Sequence, residues 1–514
     1  MKKYGELEYL KLSKWKKFWV RFLSFFASIP LGIWNGIKGI GRFFRKLGLG
    51  IVNEGKDIVS TFVQGDWKTK LSYPVMGFGS IARGQVLRGL MFLLFEIVFI
   101  VYMVIPGGGA YWLKMLPSLG KEHPVPNGLY DEFLDTWVDK PGDNSFRILL
   151  YGVLTIFFIV AFLYTWRANI RQNKISEEIL KTGKPLKSGK DDLRSLVDDN
   201  FHKTLLSLPT LGIVVFTVLP IFFMILVAFT NYNAAHNDGV KNDLFKWVGF
   251  QNFKTLFSWN VKGVNYSATF GEILLWTLIW AFFATFTNYF LGILVAMMIN
   301  KKGIKLKKLW RTVLIMTIAI PQFISLLYVS KMFAKNGLFN GLLLDLGIIN
   351  HAIDFWGDPT LARIMVIIIN IWIGIPYLML IATGILMNIP SDLYESAKID
   401  GASGWKQFSK ITMPYMLFIT GPYLLTSFTS NMNNFNVIYL LTGGGPANPA
   451  RSGASGNVGH TDLLITWLFK ITQTGDSKYY LASVVGILVF VVVAVISLVV
   501  YRMLPSVKNE EDFQ

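Results

Sequence analysis

The residues of this chain best placed to do chemistry are uncharged. Ser427, Ser430, Asn431, Asn433, Asn434 and Asn436 cluster around Phe428 and Phe435. At ~3.6 residues per helical turn, Ser427, Ser430, Asn431 and Asn434 fall on one face. Upstream, Asn370, Gly374 and Tyr377 share a second face, and Pro376 offers a bend. A carboxamide both donates and accepts hydrogen bonds, and an aromatic ring packs on aliphatic C–H groups. Two such faces suit an uncharged solute rich in hydroxyls. Amides also join helices within membranes, but four aligned polar residues opposite an Asn–Gly–Tyr face favour a solute path. Asn288, Tyr289 and Gln322 beside Pro321 are weaker candidates, assigned to helix packing or a kink.

Other chemistries find little support. With no cysteine there are no disulfides, thiols or Cys–metal sites. The five histidines, His123, His202, His236, His351 and His460, stand in different loops without a ligand pair at helical spacing, so no metal site is expected. The nearest approach to a phosphate-cradling loop is Gly183-Lys-Pro-Leu-Lys-Ser-Gly189-Lys190-Asp191. It has five residues between its glycines rather than four, a proline inside, and Asp191 where Ser or Thr would ligate magnesium. The chain is therefore expected to lack a nucleotide site of its own and to need no cofactor. An ion gradient is the rival energy source, yet Glu96 is the nearest ionisable residue to the interior of any apolar run, and it is read as facing a helix partner.

The elements that hold these residues are membrane helices. Of the 514 residues, 53% are hydrophobic, 15% aromatic and only 16% charged. Eight apolar runs approach the ~20 residues that a hydrocarbon core of ~30 Å requires: Leu90–Pro106, Ile148–Trp166, Leu205–Phe229, Ile273–Ile299, Val313–Phe333, Ala362–Met387, Tyr415–Leu441 and Leu481–Tyr501. They are continuously apolar rather than alternating, which selects helices over a barrel. The expected fold is an all-α polytopic membrane protein with about eight transmembrane helices.

Basic residues collect in the N-terminal region, in Arg167–Lys203 and in Lys301–Arg311, whereas Asp131, Glu132, Asp135, Asp139 and Asp143 follow the first run. Lys and Arg mark cytoplasmic segments, so both termini and Glu395–Pro414 are expected in the cytoplasm. The net charge of +18 then reflects orientation in the bilayer, not nucleic-acid binding. Four regions follow. Residues 1–86 form a basic aromatic leader, read as retained interfacial helices rather than a cleaved signal. Residues 87–204 hold two spans and a charged connector, residues 205–505 hold six spans, and residues 506–514 form a cytoplasmic tail. On the other side, Asn231–Phe270 suits a small ordered cap. Thr442–Tyr480 opens on turn-forming glycines and ends in a segment with the content of a short interfacial helix.

One connection carries a pattern of its own. Glu395-Ser-Ala-Lys-Ile-Asp-Gly401 is followed by nine residues and then Ile411-Thr-Met-Pro414. Glu395 is expected to open a helical segment that Ala397 keeps slim; Gly401 permits a left-handed turn, and Pro414 sits where a helix start tolerates it. The pattern resembles the coupling loop of permease subunits in ATP-driven bacterial importers. Together with Asn370-Ile-Trp-Ile-Gly-Ile-Pro-Tyr377, Ser427–Phe435 and Leu440-Leu-Thr-Gly-Gly-Gly-Pro446, it resembles the MalF-type permease of maltose/maltodextrin importers, over about residues 205–505 and more weakly over 87–204.

That resemblance implies a type I ABC importer permease fold in a bacterial plasma membrane. Its expected partners are a MalG-like second permease, a cytoplasmic ABC ATPase dimer, an extracellular sugar-binding protein, and the lipid bilayer. It implies a sugar pocket at Asn370, Gly374, Tyr377, Ser427, Ser430, Asn431 and Asn434, and ATPase coupling through Glu395, Ala397, Gly401, Ile411 and Pro414. Two departures stand out. Ser430 replaces an expected aromatic residue, and Asn231–Phe270 is too short for the large extracellular domain that some relatives insert, which by analogy suits a Gram-positive cell with a lipid-anchored binding protein. The expected function is transport of maltose or maltodextrins by alternating access, with ATP hydrolysed by a partner. A different neutral oligosaccharide, or an ion-coupled sugar carrier, is the alternative.

Overall fold

The computed structural model describes residues 38–39, 41–42, 45–119, 129–131, 136–138, 144–237, 244–258, 265–301, 303–451, 458–473 and 477–503. The first part of the expected leader (residues 1–37), Glu132, Asp135, Asp139 and Asp143, and the tail 506–514 lie outside these residues. The chain divides into two compact units, Met1–Lys114 with Tyr151–Ile213, and Met115–Leu150 with Val214–Gln514.

The first unit contains α1 (residues 45–64), α2 (Trp67–Leu71), α3 (Phe78–Ala82) and α4 (Val86–Val104). It also holds the larger part of α5 (Ser145–Lys181) and α6 (Gly189–Val197). Aromatic contacts join α4 to α5: Phe99 stacks on Phe162 at 3.9 Å, and Tyr102 meets Phe158 edge-on at 5.1 Å. Glu96, half-way along α4, is buried and accepts the Met76 amide proton at 2.7 Å. Its partner is thus the backbone of a turn; Asn169 of α5 accepts from the next amide, Gly77, at 3.0 Å. Irregular backbone at such a position survives when protein groups satisfy it. The Gly183–Asp191 stretch is a helix start. Ser188 caps α6, and Asp191 returns a bond to the Ser188 amide in a capping box.

In chain order between these helices, β1 (Leu129–Asp131) and β2 (Thr136–Val138) form a short antiparallel pair. The second unit begins with them and the first turns of α5. It continues from the π-helical turn Val214–Val218 inside α7 (Phe201–Val227). After α7 come α8 (Tyr266–Asn300), α9 (Lys307–Ala319), α10 (Gln322–Met332) and α11 (Pro359–Leu386). The rest comprises α12 (Ser391–Ile399), α13 (Gly404–Gln407), α14 (Met413–Met432), α15 (Phe435–Thr442), α16 (Leu464–Gln473) and α17 (Tyr479–Met503). Trp280 of α8 packs with Val366 and Ile369 of α11 and with Val437 and Ile438 of α15. Further along, Tyr289, Ile293 and Ala296 meet Leu378, Met379 and Ala382 of α11 and Met416 of α14.

Among the described residues, six helices are long and apolar enough to cross a membrane: α4, α5, α7, α8, α11 and α17. Their most hydrophobic windows are at most 44% buried, with large residues such as Phe216 and Phe490 facing outward, as a lipid solvent allows. The remaining two expected spans are broken. Val313–Phe333 becomes α9 and α10, bent by 92° where Pro321 follows an extended Ile320. Tyr415–Leu441 becomes α14 and α15, interrupted at Asn433 and Asn434 because the Asn434 side chain caps a new helix.

The loops are built into this unit. Asn252 donates to the Ala228 and Thr230 carbonyls at 2.8 and 2.6 Å, ordering part of the segment expected to form a cap. The short helix expected to be interfacial, α16, instead buries Leu464, Trp467 and Ile471 against Leu481, Val484 and Val485 of α17. Asp462, just before it, is buried and paired with Lys470 at 2.7 Å. Burial pushes the Asp462 carboxyl above its ordinary range, against the pull of Lys470.

Candidate functional site

A groove of about 200 Å³ runs along α14, lined by Tyr423, Thr426, Ser427, Ser430 and Asn431. None of these is charged, so the groove offers hydroxyls, one carboxamide and one aromatic ring. It sits where α14 is least apolar, which is why this helix stands apart from the six continuous spans.

Asn431 anchors the groove to its neighbours. Its Nδ2 donates to Thr285 Oγ1 of α8 at 3.0 Å, and its Oδ1 accepts from Asn434 Nδ2 at 3.3 Å. Its main-chain oxygen accepts the Trp280 indole N–H at 3.0 Å. Asn434 does not line the groove; its Oδ1 accepts the Val437 amide proton at 3.3 Å. The amide therefore serves as a helix cap as well as a brace for Asn431.

The second face divides. Tyr377 is half exposed and its ring lies 6.4 Å from that of Tyr423, so it borders the groove. Asn370 is buried where α11 crosses α8, and Asn288 Nδ2 approaches its carbonyl at 3.4 Å. Gly374 serves the same crossing: a Cβ there would fall 2.2 Å from Asn288 Nδ2. Of the seven expected pocket residues, Ser427, Ser430 and Asn431 line the groove, Tyr377 flanks it, Asn434 braces it, and Asn370 and Gly374 lie in the helix crossing. Tyr423 and Thr426 complete the lining without having been expected. Tyr423 precedes Ser427 by one turn, so extending the helical period backwards identifies it. Thr426 precedes Ser430 by one turn and follows from the same extension.

The connection from α12 to α14 forms a second site. Gly401 has φ +71°. Its amide bonds the Lys398 carbonyl at 3.0 Å, and the Ala402 amide bonds the Ala397 carbonyl at 2.8 Å. These paired bonds are a Schellman motif, with Gly401 at the left-handed position. Ser403 then caps α13. A π-helical turn, Phe408–Thr412, carries the half-buried Ile411 into α14, where Pro414 occupies the first turn. Glu395 does not open the helix; α12 begins at Ser391 after Pro390, leaving Glu395 exposed in its middle. Tyr394 and Thr412 hydroxyls meet at 2.9 Å and hold the two arms together. Outside this brace, Ile399 and Trp405 are 87% and 74% exposed.

Residues 288–508 match the family described as binding-protein-dependent transport system inner membrane component. The maltodextrin transport system permease protein MalC of Streptococcus pneumoniae is 31% identical over 453 residues, covering 86% of this chain and 97% of that protein. The chain belongs to this family of permeases. The galactooligosaccharides transport system permease protein GanP of Bacillus subtilis is 36% identical over 382 residues, 72% of this chain and 86% of its own length. The maltose/maltodextrin permease MalF of Escherichia coli is 34% identical over 255 residues, about half of either chain. The permease is a multi-pass membrane protein and a transport component. Both the α14 groove and the α12–α14 connection fall inside the family match.

Proposed function

We propose that this permease translocates maltose or maltodextrins, with its α14 groove in contact with the sugar and its α12–α14 connection docked on an ATPase. The observation that carries the substrate class is the groove itself: Tyr423, Thr426, Ser427, Ser430 and Asn431 supply hydrogen bonds and a ring face but no charge. A phosphorylated or acidic solute would call for Arg or Lys there. Ser430 leaves the groove without a second ring at that position, so Tyr423 and Tyr377 provide the aromatic surface.

Coupling follows from the loop. Ile399 and Trp405 insert into a groove of a cytoplasmic ATPase dimer, which binds and hydrolyses ATP. The Schellman turn at Gly401 and the Tyr394–Thr412 contact transmit its movement to α14. A second, MalG-like permease completes the membrane pathway, and an extracellular sugar-binding protein delivers the solute. Both termini of the permease lie in the cytoplasm. Asn370 and Gly374 join the sugar face when α8 and α11 separate during alternating access. Glu96 bonds a backbone amide, which argues against the ion-coupled alternative.

A second reading is favoured by the likeness to GanP, whose identity over most of its length exceeds that of MalC. On that reading the sugar is a galactooligosaccharide. Competition between labelled maltotriose and galactotriose, in proteoliposomes holding the full complex and ATP, separates the two. Maltotriose is expected to be taken up and galactotriose to compete poorly; the reverse order sinks the maltodextrin assignment.

A further inference from the structure

At the crossing of α8 and α11, two buried carboxamides each keep an atom without a partner. Asn288 and Asn370 are only 6% and 5% exposed. Asn288 Nδ2 donates to the Ala284 carbonyl at 2.8 Å and faces the Asn370 carbonyl at 3.4 Å, yet Asn288 Oδ1 accepts nothing. Exchanging its oxygen and nitrogen would set Oδ1 against both carbonyls, so this orientation is fixed by the surroundings. Asn370 Nδ2 is likewise unpaired. Buried polar groups are nearly always satisfied, so two orphaned atoms at one helix crossing call for a partner.

Gly374 shows which face Asn288 serves. The position of its missing Cβ is filled by the Asn288 carboxamide, 2.2 Å from Nδ2. Gly374 shares the Asn370–Tyr377 face of α11, so Asn288 reaches that face from α8. Its free acceptor and the free donor of Asn370 form the complement of one hydroxyl, which donates to the first and accepts from the second.

We propose that Asn288 is a specificity-determining residue for the solute: when α8 and α11 part, its Oδ1 and Asn370 Nδ2 take one sugar hydroxyl between them. This rests on the sugar-permease reading above. In the state described, helix contact covers both atoms, which keeps the hydroxyl site closed until the pathway opens.

The test compares uptake of maltose with a panel of monodeoxy maltoses by the full complex in proteoliposomes with ATP. A site built to bond a hydroxyl rejects the analogue that lacks it. The wild type is expected to take up one monodeoxy sugar more slowly than maltose, by on the order of tenfold. In Asn288→Ala, and in Asn288→Leu, which keeps the branched outline but has no acceptor, that ratio falls to within about twofold while the ratios for other positions stay unchanged. Asn370→Ala alters the same position. Should the alanine variant fail to assemble, the leucine and Asn370 variants carry the comparison. Identical ratios in wild type and variants, or a change at unrelated positions, overturn the proposal and leave Asn288 a packing residue. An assembled, ATP-hydrolysing wild type that imports no maltose sinks the sugar reading first, and this inference with it.

Discussion

Gly374 and Asn288 share one volume, and the energetics of their contact can be isolated. Gly374→Ala sets a methyl 2.2 Å from Asn288 Nδ2, so the Asn288 carboxamide must leave its bonded position or the helices must part; overpacking of this kind costs about 1–3 kcal/mol. Asn288→Ala in the same chain removes the obstructing atom. We expect Gly374→Ala to lower the thermal midpoint of the purified complex and the double variant to recover most of that loss, whereas additive losses would contradict the contact. Asn431 poses a different case. Trp280 bonds its main chain, so Asn431→Ala keeps that link and loses the Thr285 and Asn434 bonds. Assembly is expected to persist while sugar uptake falls by on the order of tenfold or more; unchanged uptake by an assembled complex would remove Asn431 from the solute path. Helical spacing made Ser427, Ser430 and Asn431 legible, because they lie within little more than one turn of one helix. The setting of Asn370 and Gly374 was not, since Asn288 sits 82 residues before Asn370 and only the fold brings them together.

Elements carry the coupling. Ile399 of α12 and Trp405 of α13 are largely exposed, and burying two such side chains is worth about 1.5–3 kcal/mol each. Trp405→Ala should therefore reduce recovery of the ATPase with the permease, measured by co-purification, without lowering the membrane level of the permease. Undiminished recovery would place the docking surface elsewhere. On α1, Asp57 pairs with Lys174 at 2.7 Å and Arg167 at 2.6 Å. The Lys174 bond chiefly holds its carboxyl below the ordinary range, opposed by partial burial and aided by Arg167. A depressed carboxyl pKa stabilises the docked helix above the ordinary carboxylate range, and that contribution fades as pH falls through the lowered value. Asp57→Asn should thus speed proteolysis within residues 45–64 at pH 7 and change little at strongly acid pH; an equal effect at both would point away from ionisation. The glycine turn at Gly401 and the proline start at Pro414 could be read from residue type alone. The position of Glu395 within its helix could not, because Pro390 sets the start four residues earlier than the motif suggests. Nor could the burial of α16, whose apolar stripe fits an interface as well as a core until α17 is packed against it.

On the scale of the molecule, apolar run length predicted a polytopic helical protein, and six uninterrupted spans answer to it. Run length alone does not see breaks. Pro321 bends one run by 92°, and Asn433 and Asn434 divide α14 from α15. The polar stretch from Ser427 to Asn434 thus both lines the groove at its start and ends the regular span at its close. The central claim is that a partner's ATP cycle, entering through the Gly401 turn, moves a neutral sugar past that groove. The most direct measurement is ATP-dependent uptake of labelled maltose in proteoliposomes holding the full complex, with wild type and Gly401→Asp side by side. Gly401 has φ +71° and open space around its Cβ position, so the substitution strains the turn without a clash in the core. Uptake by the wild type is expected to require ATP and the binding protein, and to collapse in a Gly401→Asp complex that still assembles. Full uptake by the variant, or uptake driven by an ion gradient without the ATPase, would contradict the central claim.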